Sequence, residues 1–151
     1  MSEFEPRDPD WDRKVRDSFA RQTAMETIGA TLSALAPGRC EILLPYRRDL
    51  CQQHGYLHAG ITTMIADSAG GYAAFSLMPP NASVLTVEFK VNLMAPASGQ
   101  RFVARGNVIK PGRTLLVVEA DVTAEDGDNR KQVAHMLATM MCLTDTSDRP
   151  G

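Results

Sequence analysis

Cysteine is scarce in this chain: Cys40, Cys51 and Cys142 are the only three among 151 residues, and no two form a C-x-x-C pair. An odd number at such spacings argues against a disulfide framework or a zinc site and for reduced thiols in a cytoplasmic protein. Charge of one sign is lacking too: 16 Lys and Arg against 18 Asp and Glu leave a net charge of -2. Nothing therefore favours nucleic acid through bulk electrostatics. The first dozen residues, Met1 to Asp12, are acidic and proline-containing, without the basic and apolar regions of a signal peptide. Only residues 59 to 78 approach membrane-spanning length, and Asp67, three glycines and several hydroxyls mark them as a buried helix of a soluble protein. What remains, 44% hydrophobic and 23% charged, is ordinary for one globular domain with a real core.

That apolar stretch organises the rest. Ile61 to Met78 is rich in Ala, Met, Ile, Leu and Phe, and Pro79-Pro80 stop it, so it is expected to be a helix. Its single charge is Asp67. Burying a carboxylate unpaired costs several kcal/mol, roughly, so this one needs a partner or a purpose. Thr63, Met64, Asp67, Gly70, Gly71 and Ala74 fall on one face by helical spacing. Adjacent glycines each cost about 1 kcal/mol of helix stability relative to alanine, which implies that something packs close there. The helix is expected to carry its acid against a tight surface.

Taken in order, residues 1 to 10 have the composition of a segment that contributes little. Trp11 to Thr27 reads as a short amphipathic helix through Val15, Phe19 and Met25. Ile28 to Ala36 and Arg39 to Pro45 read as a hairpin split by Pro37-Gly38. Tyr46 to His58 is a polar connection of about a dozen residues, long enough to imply function. Beyond the helix, Val84 to Met94 alternates strictly: Leu85, Val87, Phe89, Val91 and Leu93 are apolar, with Thr86, Glu88, Lys90 and Asn92 between them. That is a half-buried strand. Arg101 to Lys110 follows with Phe102, Ala104, Gly106 and Val108 inward. Pro111-Gly112 turns into Arg113 to Ala124, and Asp126-Gly127-Asp128-Asn129 turns into Gln132 to Leu143. Short turns imply an antiparallel sheet, and one long helix across it gives a two-layer α+β domain. The expected division is a tail and short helix over 1–24, the domain over 25–145 and a polar tail over 146–151.

Gln52, Gly55, His58-Ala59-Gly60 and Asp67, together with Leu93-Met94-Ala95-Pro96 and Gly112-Arg113, carry a resemblance. Over residues 25 to 143 the chain resembles the hot-dog fold acyl-CoA thioesterases, in particular the phenylacetate-type branch and its 4-hydroxybenzoyl-CoA relatives. Their pattern is Asn or Gln, then Gly-x-x-His-Gly-Gly, then an acid nine residues after the His. Ala59 departs from the first glycine of the pair, and Gly71 stands where relatives often have Thr or Ser. The resemblance implies an antiparallel sheet wrapped around one long central helix, dimerising into a continuous sheet, and a tetramer built from two such dimers.

It also implies roles. The Ala59 amide at the helix N-terminus would bind the thioester oxygen, with Gly60 behind it, Gln52 hydrogen-bonding nearby and His58 shaping the loop. Asp67, from the neighbouring subunit, would act as general base or nucleophile. Gly55 and Gly112 belong to the substrate-binding turns, and Thr86 would orient water. Arg113, Lys110 or Arg105 would hold coenzyme A phosphates. No metal and no cofactor are expected, coenzyme A being part of the substrate, a small aromatic or medium-chain acyl-CoA. Plainer readings stand beside these. Asp67 could be a structural acid, and His58 a group that satisfies backbone. Gln52 could be a loop polar residue, and Cys51 a bystander. His54, His58 and Asp67 lack a further clustered ligand for a metal. Gly70-Gly71 would serve packing, Met136, Met140 and Met141 would fill the core, and Arg113 would be a solvated edge. Two other functions remain open: an acyl-CoA sensor without turnover, or a hot-dog hydratase or dehydratase.

Overall fold

The structure, a computed structural model, describes residues 4–146 and 148. Two short helices, α1 (Trp11–Arg21) and α2 (Thr23–Ile28), precede the hairpin β1 (Thr31–Ala36) and β2 (Arg39–Pro45). A single 3-10 turn at Arg48–Leu50 leads to the long helix α3 (Ala59–Phe75). Four strands complete the chain: β3 (Ala82–Leu93), β4 (Arg101–Pro111), β5 (Leu115–Asp126) and β6 (Asn129–Thr144). All pairings are antiparallel, in the order β1-β2-β4-β5-β6-β3, so β1 and β3 are the sheet's edges. This is the expected α+β architecture.

The N-terminal half departs from expectation in two ways. The opening helix is not continuous, because Gln22 leaves helical geometry (φ -80, ψ 91) and starts a second helix. Gly29 closes that helix at φ +80, so the first strand begins at Thr31 rather than Ile28. Residues 4 to 10 are also packed, not idle. Asp8 is buried, pairs with Lys14 Nζ at 3.3 Å and accepts the Asp10 N–H, while Arg7 Nε donates to Leu77 O. Composition registered the charges there but not their partners. Residues 1–3, 147 and 149–151, which hold the outer parts of both expected tails, lie outside the described residues.

Helix α3 lies across one face of the sheet because its apolar side is nearly continuous: Ile65, Ala66, Ala69, Ala73, Ala74 and Phe75 are fully buried. The closest approach is to β4. A methyl built on Gly106 would stand 2.3 Å from the Ala69 carbonyl, so this crossing admits no side chain. Gly70 is similarly tight against Val118, at 2.9 Å, whereas a methyl on Gly71 would meet nothing within 4 Å. Only the first of the adjacent glycines therefore serves packing. At the far end of the helix Lys14 Nζ donates to Met78 O at 2.7 Å and lies 4.7 Å over the Phe75 ring. Burial pushes its pKa down, with Asp8 pulling the other way.

Strand β3 keeps its alternation only in part. Thr86 pairs with Met140 and Glu88 with Thr139, so Val87 is an extra residue, a β-bulge. Beyond it Phe89, Val91 and Leu93 oppose the buried Ala138, Met136 and Ala134. Before it, Val84 and Thr86 oppose the buried Cys142 and Met140, and Leu85 turns outward. The odd positions therefore do not form one face. One extra residue moves every neighbour to the opposite side, and Thr86 comes to face the helix.

Candidate active site

The loop before α3 is built by local hydrogen bonds. Gln52 N donates to Tyr56 O at 2.9 Å and Gly55 N to Gln52 O at 3.0 Å, with Gly55 at φ +84, a conformation that favours glycine. The Gln52 side-chain oxygen accepts the His54 N–H. Cys51 and Leu57 form an isolated bridge, and Leu57 N reaches Ala97 O on the loop before β4. Cys51 Sγ is turned to Arg47 O at 3.4 Å.

His58 is the N-cap of α3. Its Nδ1 accepts the Gly60 N–H at 2.8 Å, and its carbonyl accepts from Ile61 N and Thr62 N. A side chain at Gly60 would crowd the imidazole, its Cβ standing 3.1 Å from Nδ1. Two of the four orphan donors of the helix start, those of Gly60 and Ile61, are thus used by one residue, and Thr62 makes the first regular helical bond to it. Among the described residues none accepts the Ala59 N–H, which sits exposed at the positive end of the helix.

A cleft of about 440 Å³ opens in front of this amide. Gln52, Tyr56 and Ala59 form one side, and Leu93, Met94 and Pro96 the other. Asp67 is elsewhere. It lies eight residues further along α3, about 12 Å at the helical rise, in a separate cleft of about 340 Å³. There its Oδ1 accepts a 2.7 Å hydrogen bond from Thr86 Oγ1, which also stands 3.4 Å from Met140 Sδ. The carboxylate is half-buried and faces open space rather than the tight surface expected for it. The tight contacts belong to Ala69 and Gly70 instead.

The other candidates are scattered. Gly112 shapes the β4–β5 turn, where a Cβ would collide with Leu115 O. Arg113 and Lys110 are exposed at that turn, at the end of the sheet where Thr86, Met140, Leu116 and Pro111 pair in succession. Arg105, offered for phosphate binding, is instead committed to Glu41 at 2.9 Å. His58 and Asp67 are too far apart along α3 to hold one ion, and among the described residues no group of three or more His, Cys, Asp or Glu is arranged for a metal. No helix among them is long and apolar enough to cross a membrane.

Reasoning from sequence missed Gln22, Ser68 and Tyr72, which line the Asp67 cleft with Ser18. Their only sequence signal was polarity, Ser68 and Tyr72 within the apolar α3 and Gln22 at the break between α1 and α2.

Comparison with known proteins identifies the family and the fold. The profile of the thioesterase superfamily matches residues 54–131. A crystal structure of a thioesterase family protein from Silicibacter pomeroyi is 55% identical and superposes with a TM-score of 0.88, covering 89% of this chain and 98% of that one. A putative esterase of Saccharolobus solfataricus is 33% identical over 93 residues, 62% of this chain and 66% of its own length. The 1,4-dihydroxy-2-naphthoyl-CoA hydrolase of Listeria monocytogenes is 27% identical over 100 residues, 66% of this chain and 81% of its own. With that match across loop, helix and sheet, the chain belongs to the thioesterase superfamily, a family of thioester hydrolases, and adopts its hot-dog fold.

Proposed function

We propose that the chain hydrolyses acyl-CoA thioesters as a homodimer, each site taking Ala59 from one subunit and Asp67 from the other. The observation that carries this is the separation of two complementary groups on one helix. An oxyanion donor stands about 3 Å from the carbonyl oxygen and a nucleophile about as far from the carbon. Groups about 12 Å apart along α3 cannot meet on one thioester, so a second copy must supply the acid. The bare edge of β3, with Leu85, Val87 and Phe89 exposed, offers the pairing surface. Two such edges in antiparallel register would continue the sheet, and a tetramer would pair two dimers.

In this reading the Ala59 N–H stabilises the oxyanion, and Gln52, its carbonyl engaged by His54, offers its amide hydrogens to the same region. Asp67 removes a proton from water, or attacks directly. On the water route, oxygen bonds to the acyl carbon, the C–S bond breaks, and the proton returns to the coenzyme A thiolate. Thr86 orients the carboxylate, and His58 caps the helix rather than transferring protons. Of the three cations considered, Arg113 and Lys110 are the ones without an ion pair and would hold coenzyme A phosphates; Gly55 and Gly112 shape turns. The chemistry calls for no metal and suits a cytoplasmic enzyme of small aromatic or medium-chain acyl-CoA. Support for the coenzyme A moiety comes from the sequence motif and from the Listeria relative, which acts on such a thioester.

Mixing two inactive proteins tests it. Ala59→Pro deletes the N–H at the first helical position, where proline is tolerated, and His58 (φ -60, ψ 137) already has the backbone that precedes proline. Asp67→Asn removes the base. Each alone should lose at least about a hundredfold in kcat. Refolded together, they should recover about a quarter of wild-type activity, because half the dimers carry one intact site. No recovery would overturn the shared site. Absence of turnover with wild type, alongside a rise in Tm on adding acyl-CoA, would favour a sensor instead.

A further inference from the structure

The face of the sheet turned away from α3 carries a groove of about 330 Å³ that involves neither Ala59 nor Asp67. Ala34, Leu35 and Ala36 of the edge strand β1 form one wall. Arg39 and Glu41 of β2, with Arg105 and Asn107 of β4, form the other. The pleat places it there. Gly106 has its Cβ direction against the Ala69 carbonyl of the helix, and successive residues alternate, so Arg105 and Asn107 point to the opposite face. The hollow itself comes from unequal partners: Ala34 stands opposite Glu41 and Ala36 opposite Arg39, short side chains against long ones.

The charges in the groove are not balanced. Glu41 is already engaged twice, by Arg105 Nε at 2.9 Å and by Ser33 Oγ at 2.8 Å. Among the described residues the side chains of Arg39 and Asn107 have no hydrogen-bond or ion-pair partner. These two face each other directly across the β2–β4 ladder, which sets their Cβ atoms about 5 Å apart on one face. A guanidinium and a carboxamide therefore offer N–H groups to the same small volume. The anion whose flat, two-oxygen edge suits such a fork is a carboxylate.

The same inventory limits the ligand's charge and size. Arg39, Arg105 and Glu41 leave the lining with one net positive charge, and Glu119 stands beyond it, opposite Asn107 on β5. One negative charge is attracted and two are disfavoured. The wall of Ala34, Leu35 and Ala36 is uncharged, and the volume, at the small end of ligand pockets, holds a ring or chain of about six carbons.

We propose that this groove is a second binding site, for a monocarboxylate with a short apolar body. Its carboxylate would lie on Arg39 and Asn107 and its body against Ala34, Leu35 and Ala36. Acids of this class are what hydrolysis of a small acyl thioester releases. That link rests on the reading above, whereas the recognition chemistry of the groove does not.

Calorimetry with benzoate and hexanoate tests it on three proteins: wild type, Arg39→Gln and Asp67→Asn. Wild type and Asp67→Asn should bind alike, and Arg39→Gln about tenfold or more weaker. Arg39 is exposed and unpaired, so Tm and thiol release from acyl-CoA should hardly change in that variant. Neutral benzamide and doubly charged phosphate should each bind wild type about tenfold or more weaker than benzoate. Ala36→Leu, which fills the hollow and keeps both donors, should also abolish binding. No carboxylate binding at about 10 mM, or binding unchanged by Arg39→Gln, or benzamide equal to benzoate, overturns the proposal. Binding through Arg39 in a protein that turns over no acyl-CoA would uphold the groove and overturn the hydrolase reading instead.

Discussion

Thr86 Oγ1 donates to Asp67 Oδ1 across 2.7 Å, joining an edge strand to the one acid of the central helix. The bond exists because Val87 is an inserted residue: without it Thr86 would sit on the other face of β3. A hydrogen bond to an ionised carboxylate is worth about 1.5–3 kcal/mol, enough to hold a catalytic rotamer. Thr86→Val should therefore lower kcat about tenfold or more, with KM little changed. Thr86→Ser should stay within about threefold of wild type, since the hydroxyl is kept. Steady-state thiol release measures both, and equal losses in the two variants would deny the hydroxyl a role.

His58 separates a capping role from proton transfer. His58→Ala should cost about 1 kcal/mol of stability through loss of the Gly60 cap, a fall of roughly 2–4 °C in Tm. His58→Asn, a good N-cap, should recover most of that and keep activity within about fivefold. Retained stability with activity lost more than a hundredfold would make the imidazole a reactive group instead.

The glycines of α3 and β4 should respond with opposite signs. Gly106→Ala drives a methyl into the Ala69 carbonyl and should cost about 2 kcal/mol or more, as overpacking does. Gly71→Ala meets open space within a helix and should gain about 0.5–1 kcal/mol. Urea midpoints at fixed slope provide the comparison.

Burial pushes the Cys40 thiol from its ordinary 9.0 up to about 12. Because the folded pKa is the higher one, the unfolded chain ionises first. The contribution is full below about pH 9 and is lost as pH rises towards 12. Stability should fall across that window by at most about 1.4 kcal/mol per pH unit from this group. Cys40→Ala should flatten the alkaline limb of a stability–pH profile. Cys51, half-buried, should be alkylated before Cys40 in the native protein.

The elements that were legible from sequence are those whose signal is local. The helical run was legible as far as Phe75, although it stops there in a turn over residues 76–78 rather than at Met78 against Pro79-Pro80. Gly127-Asp128 made the two-residue turn between Asp126 and Asn129. Gln52 through Gly60 formed the expected loop and helix start. What escaped was set by tertiary partners. Alternation over Leu85 to Leu93 looked unbroken because an inserted valine has the same hydrophobicity as a paired one. Gly70 and Gly71 look alike in sequence, yet only one faces Val118. Arg105 could pass for a phosphate ligand until Glu41 appeared two strands' worth of sequence away, directly across the ladder. Asp8 had the composition of a solvated tail, and it is buried beside Lys14.

The crossing of Ala69 over Gly106 acts at a distance from both reactive groups. It is two residues past Asp67 and ten past Ala59, and it is the point at which the helix rests on the sheet backbone. A fulcrum so placed leaves the long arm, which carries the N-terminal amide, more sensitive to tilt than the short arm that carries the acid. A small wedge beneath Ala69 would therefore displace Ala59 several times further than Asp67, so the vacancy at Gly106 keeps the aim of an amide it never touches.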